Sequence, residues 1–142
     1  MTGTVTSTDT HLPPNWERRL LALVGAPGTV ENVRFLKAWA TAEGGVAKWN
    51  PLNVTYQLSY GQSWPLAGNT SGVQNYYKPT AGICATALLL IQSVPGASFA
   101  GILGDLQAGS RKAEEIVNRN ADALRVWGTG ADAILRVLAT TP

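Results

Sequence analysis

Apolar side chains return at three- and four-residue intervals along most of this chain, the spacing of helices that bury one face. Pro13-Pro14-Asn15 opens a first short helix over residues 16–24, which Gly25 and Pro27 stop. Thr29 is placed to cap a second helix, with Glu31 in its first turn, where the helix dipole favours an acid. Val33, Leu36, Trp39 and Ala40 share one stripe of that helix, and Gly44-Gly45 ends it. Over residues 50–79 the helical period disappears, and Gly, Asn, Ser, Pro and Tyr dominate. Residues 54–58 and 73–77 have strand-like composition, and the loop at 61–72 between them is long enough to point to function over mere connection. Helix returns over residues 81–93, a nearly uncharged stretch expected to bury Ile83, Ala87, Leu90 and Ile91, and Pro95-Gly96 breaks it. A short helix over 99–107 follows, then a longer one over 111–126 capped by Ser110 and stopped at Trp127-Gly128-Thr129-Gly130, then a last one over 131–139. No repeat of solenoid period is present. The expected architecture is mainly α, with a small β-hairpin inserted between helices.

The 142 residues fit one compact domain, expected over 13–142 behind a flexible tail at 1–12. With 45% hydrophobic and 14% charged residues the chain can build a packed core. Eleven basic against nine acidic residues give a net charge of +2, too mild for a nucleic-acid footprint. One cysteine excludes an intramolecular disulfide, and a single cysteine with a single histidine excludes a Cys/His zinc cluster; no metal or other cofactor is expected. Cys84, four residues before Leu88 on the apolar helix, reads as a small buried thiol. No apolar run reaches the ~20 residues that span a bilayer, so no membrane insertion is expected. Residues 1–10 have neither the basic start nor the apolar stretch of a secretory signal. His11 falls in the expected tail, away from the packing that locks a catalytic base, so any acid–base chemistry here is expected to fall to a carboxylate.

Glu43 is the carboxylate in an unusual place. It follows Trp39 by four residues and Ala40 by three, on the apolar stripe, and it occupies the last helical turn. Partial burial and the negative end of the helix dipole both disfavour its charged form, and an acid held protonated near neutral pH is what general-acid catalysis requires. The plainer alternative is a solvated helix-end glutamate paired with Lys48 or Arg34. Downstream, Asn50, Asn53, Tyr56 and the Trp64 loop supply amides, hydroxyls and aromatic faces, the groups that hold sugar rings. Each also has an ordinary structural reading as a turn or core residue.

Four ordered motifs carry a resemblance: FLKAWATAEGG at 35–45, NPLN at 50–53, GVQNY at 72–76 and GICAT at 82–86, with WGTG at 127–130 a weaker addition. Over about residues 30–106 the chain resembles the lysozyme-like domains of actinobacterial phage endolysins and virion-associated wall-degrading proteins. More distantly it is similar to the goose-type lysozyme and lytic transglycosylase superfamily. The resemblance implies a lysozyme-like fold, Glu43 as general acid, and Asn50, Asn53, Gln74, Asn75 and Tyr76 lining a cleft for the peptidoglycan glycan strand. The segment Gly72-Val73-Gln74 departs from the superfamily's Gly-apolar-apolar-Gln motif, with Gln one position earlier.

Between Glu43 and Asp105 there is no Asp or Glu. Glycosidases ordinarily set a second carboxylate roughly 5 to 9.5 Å from the first, so this gap favours a single-carboxylate mechanism, as lytic transglycosylase or as hydrolase. Asp105, Asp122 and Asp132 are the residues that could fold back to fill the role. Two other readings stand beside the enzyme: a non-catalytic wall-glycan-binding or virion structural module on the same fold, and a helical interaction protein docking through residues 111–126 and 131–139. The substrate lies outside the bacterial membrane, which with no export signal fits holin release, a virion-borne enzyme or a domain of a longer chain.

Overall fold

The computed structural model describes residues 11–59, 61–94 and 97–140, the side chains of 93–97 excepted. The expected tail at 1–10 and the break at Pro95-Gly96 lie outside the described residues. The chain is mainly helical: α1 (Trp16–Leu23), α2 (Val30–Glu43), α3 (Pro79–Ile91), α4 (Ala100–Ala108), α5 (Ala113–Arg119), α6 (Ala121–Trp127) and α7 (Ala131–Thr140). A small antiparallel hairpin, β1 (Ser63–Pro65) and β2 (Gln74–Tyr76), is inserted between α2 and α3, with Trp64 opposite Asn75. A second, two-residue pairing joins β3 (Ser93–Val94) to β4 (Ala97–Ser98).

Helix α2 is the central element, packed by α1, α5 and α7. Of the stripe that its apolar spacing predicts, Leu36, Trp39 and Ala40 are buried and Val33 partly so, and Phe35, outside that stripe, is fully buried as well. Thr29 caps it, its hydroxyl accepting the Asn32 N–H at 3.0 Å. The buried Asn32 amide donates to the Pro27 and Leu106 carbonyls, each at 2.9 Å, and so ties the start of α2 to the end of α4.

Three expectations are corrected. Residues 54–58 form no strand: the Val54 carbonyl accepts the Gln74 N–H at 3.1 Å, but the Val54 N–H is taken by the Asn50 side chain at 2.9 Å, so the contact with β2 does not extend into a ladder. The partner of β2 comes instead from Ser63–Pro65. The helix expected at 111–126 is two helices. Asn120 interrupts it, bonding its amide to Asp105 Oδ2 at 2.9 Å and to the Ile116 carbonyl at 2.7 Å. The start also differs: Lys112, not Ser110, takes the cap position, and Glu31 Oε1 accepts the Ala113 N–H at 2.8 Å. Finally, α3 turns Cys84, Leu88 and Ile91 outward, so neither Cys84 nor Ile91 is in the core. Apolar residues all round that helix give no phase from which the outer face could be read.

Arg34 joins α2 to α5 through a pair of bonds to Glu114, at 2.7 and 3.0 Å, and also reaches Glu31 at 3.2 Å. The Arg34 hydrogen bonds hold the Glu114 carboxyl below the usual glutamate range. Because the folded value is the lower one, the pair's contribution is present above the ordinary glutamate pKa and fades as pH falls through the folded value. Both partners are partly solvated, so its size is about 1 kcal/mol or less. Glu114→Gln is therefore expected to remove a small acid-side decline in stability, read from urea melts between pH 7 and pH 3.

Candidate active site

Glu43 is the last residue of α2. Gly44 follows in the left-handed region at φ +58°, its N–H closing on the Ala40 carbonyl at 3.2 Å, and so turns the chain sharply off the helix end. At Gly45 the backbone passes so close to the Asn53 side chain that any Cβ there would collide with Asn53 Oδ1. The segment from 45 to 53 folds beneath the helix end and is clamped from several sides. Lys48 N–H donates to Asn75 Oδ1 at 2.8 Å, and the Lys48 carbonyl accepts from Tyr76 N–H at 2.9 Å. The Trp49 carbonyl lies against Gly82 of α3 where no side chain would fit. Trp49 and Asn53 are both left-handed, at φ +53° and +55°, conformations that a bulky residue adopts rarely and asparagine more readily.

This clamp delivers the Asn53 amide to Glu43. Its Nδ2 donates to the Glu43 main-chain carbonyl at 3.1 Å and to Oε1 at 3.3 Å. The other carboxyl oxygen, Oε2, is buried with no hydrogen-bond partner among the described residues. No cation pairs with Glu43 among the described residues, and Arg34, one of the alternative partners, is held by Glu31 and Glu114. A buried carboxyl oxygen without a partner is costly to keep in a fold, which makes Glu43 a candidate for chemistry.

Glu43 opens on a cleft of about 520 Å³, within the usual size for ligand sites. The lining is mostly polar where the 53–73 segment contributes, with Asn53, Thr55, Asn69 and Ser71 beside Val73, and apolar where the later helical part does, with Leu89, Phe99, Val126 and Trp127. Asn69 shapes its loop by accepting the N–H groups of Ser71 and Val73, at 3.0 and 3.2 Å. Trp127 anchors the apolar part. Its indole N–H donates to the Leu52 carbonyl at 2.7 Å, and its ring stands edge-on to Trp39 and to Phe99, each with centroids 4.8 Å away. Gly128 then faces the carboxyl: a Cβ there would sit 3.5 and 3.6 Å from the two oxygens.

Of the site residues read from sequence, the structure brings Glu43 and Asn53 together in the cleft and sets the others elsewhere. Asn50 is fully buried and staples the loop to β2, donating to the Gln74 carbonyl at 2.7 Å as well as to Val54. Asn75 holds Lys48, and the Gln74 side chain donates to the Gly72 carbonyl at 3.1 Å. Tyr76 is a core residue whose hydroxyl donates to the Tyr56 carbonyl at 2.6 Å. Tyr56 is half-buried against the core, and Trp64, 41% exposed on β1, does not reach the cleft. The amides and hydroxyls that look suited to sugar in the sequence are largely used to hold the loop that carries Asn53. Trp127, Phe99, Asn69 and Ser71 are not read from the sequence as site residues; the WGTG motif reaches Trp127, the long 61–72 loop contains Asn69 and Ser71, and no motif marks Phe99.

Among the described residues no second carboxylate lines the cleft. Asp105 is buried under Arg119 at 3.1 Å and Asn120 at 2.9 Å, Asp122 pairs with Arg125 on the surface, and Asp132 lies in a shallow hollow beside Leu135. His11 sits outside the cleft too, its Nδ1 3.3 Å from the Ala47 carbonyl, packed near Gly45 and not loose as a tail residue would be. Among the described residues no three His, Cys, Asp or Glu side chains converge as metal ligands, and no helix is long and apolar enough to cross a membrane. No family model, curated protein or solved structure matches this chain.

Burial pushes the Tyr76 hydroxyl well above its ordinary value. The folded value is the higher one, so stability is unaffected below the ordinary tyrosine pKa near 10 and falls as pH rises beyond it, when the unfolded chain ionises first. Tyr76→Phe is expected to cost about 1 kcal/mol at neutral pH through the lost bond to Tyr56. It should also flatten the alkaline decline in a series of urea melts from pH 8 to pH 11.

Proposed function

We propose that this chain is a peptidoglycan-degrading glycosidase on a lysozyme-like fold, cleaving the MurNAc–GlcNAc β-1,4 bond with Glu43 as its single acid/base. The observation that carries the reading is a carboxyl without a cation partner among the described residues, lining a cleft that also carries amides, hydroxyls and the aromatic rings of Phe99 and Trp127. Such a cleft suits a glycan, whose hydroxyls seek amides while its C–H faces lie on apolar surface. The resemblance of the motifs around Glu43 to phage lysozyme-like domains agrees with it.

The mechanism follows from one carboxyl performing both steps. Protonated Glu43 gives its proton to the bridging oxygen as the MurNAc C1–O bond breaks, and the 2-acetamido oxygen of MurNAc closes on C1. The Glu43 carboxylate then removes a proton from the group that attacks C1, as the bond from C1 to the acetamido oxygen breaks and the acetamide is restored. That group is the MurNAc 6-hydroxyl in a transglycosylase, giving a 1,6-anhydro ring, or water in a hydrolase; either way the acid is regenerated. Asn53 steadies the carboxyl throughout. The work is on the wall, outside the bacterial membrane, with no cofactor.

The absent second carboxylate also supports a rival reading, a wall-glycan-binding or virion structural module without turnover. Incubating purified peptidoglycan with each protein and identifying the products by mass spectrometry separates them. Glu43→Gln, which has no proton to give, should lower fragment release by about 10²- to 10⁴-fold with an unchanged melting temperature. Anhydro ends identify a transglycosylase and reducing ends a hydrolase; binding of folded wild type without products selects the module. Asn53→Gly keeps the left-handed backbone at ease while removing the amide. It is expected to lower kcat by roughly tenfold to a hundredfold, the effect of a carboxyl left free to wander, with little change in KM.

A further inference from the structure

On the glycosidase reading above, the charges around the cleft bear on which substrate it accepts. Among the described residues Glu43 is the single charged one lining it, and no Lys, Arg or His lines it. Arg125, next in sequence to the lining residue Val126, is turned to solvent, its side chain 73% exposed and 3.6 Å from Asp122. Each MurNAc ring bears a lactyl ether on C3, two ring carbons from C1. With the bridging oxygen at Glu43, that lactyl group must enter the same cleft as the scissile bond. Where the stem peptide is attached, the lactyl carbonyl is an amide: neutral, and matched to the amide and hydroxyl groups of Asn53, Thr55, Asn69 and Ser71. Where the peptide has been removed, the lactyl group is a free carboxylate. It would then be drawn from water into a site with no cation to pair with it and another carboxyl close by.

We propose that the cleft selects glycan strands whose lactyl carboxyls are bound as amides and discriminates against strands stripped of their peptides. The selection is by an unpaired charge, which penalises the wrong substrate and adds no attraction for the right one. It also orders the reactions on the wall: the amidase class, which frees lactyl carboxylates, would remove this enzyme's substrate and so must act after it.

Three soluble strands of matched length test the idea: peptide-bearing, amidase-stripped, and stripped strands whose lactyl carboxyls are coupled to methylamine. The last has neither peptide nor charge. The expected kcat/KM for stripped strands is about tenfold or more below that for peptide-bearing ones, and the methylamide strands should recover most of the loss. Added salt should narrow the gap by screening. Thr55→Lys, at an exposed position on the polar part of the lining, should narrow it further by supplying the missing cation. Equal rates on the three strands would overturn the inference, as would methylamide strands cut as slowly as stripped ones or a ratio that Thr55→Lys leaves unchanged. Failure to cut any strand would instead overturn the glycosidase reading itself.

Discussion

The segment from residue 45 to 54 has neither helix nor sheet, yet several of its residues are buried, and their backbone polar groups must still be satisfied away from water. Ala47, Asn50, Leu52 and Val54 are all buried there. An unmade hydrogen bond in such a place costs about 1–3 kcal/mol, so an irregular buried segment survives only if something else supplies the partners. Here side chains supply them. Asn50 serves Val54 and Gln74, Asn75 serves Lys48, and the Trp127 indole serves Leu52. The placement of Asn53 against Glu43, and with it the shape of the cleft, depends on those bonds.

Against this thorough satisfaction, the exceptions stand out by position. Glu43 Oε2 has no partner among the described residues, while the residue that fixes the carboxyl, Asn53, and its neighbour Trp49 are left-handed. Two other buried side-chain atoms lack a partner among the described residues, Asn32 Oδ1 at the start of α2 and Trp39 Nε1 one turn before Glu43, but of the three residues Glu43 is the one that lines the cleft. That is the pattern expected of a working site, where sequence and structure depart from the optimum for stability alone.

The helices are legible in the sequence because each carries its own evidence: Thr29 before an apolar stripe for α2, Gly44-Gly45 after it, Pro79 at the start of α3. Glu43 is legible for the same reason, since helical spacing places it on the buried face. The break inside 111–126 is not legible, because it comes from Asn120 bonding to Asp105, a tertiary contact without local punctuation. The cleft walls are least legible. An asparagine that bonds sugar and one that bonds backbone have the same composition, and only the fold shows that Asn50 and Asn75 are committed to backbone while Asn53 is not wholly so. Trp127 is obscure for a related reason: its partners Trp39, Leu52 and Phe99 are far from it along the chain.

That distance along the chain bears on how the molecule assembles. The bond from Trp127 to Leu52 spans 75 residues, and the edge-on contact with Trp39 spans more. Closing such large loops is entropically slow compared with forming any single helix. The helices can therefore exist before the cleft does. The apolar side of the cleft is complete only once α6 is packed against α2 through Trp127 and Trp39. A chain still emerging from the ribosome, with Glu43 already made but α6 not yet synthesised, holds no finished site.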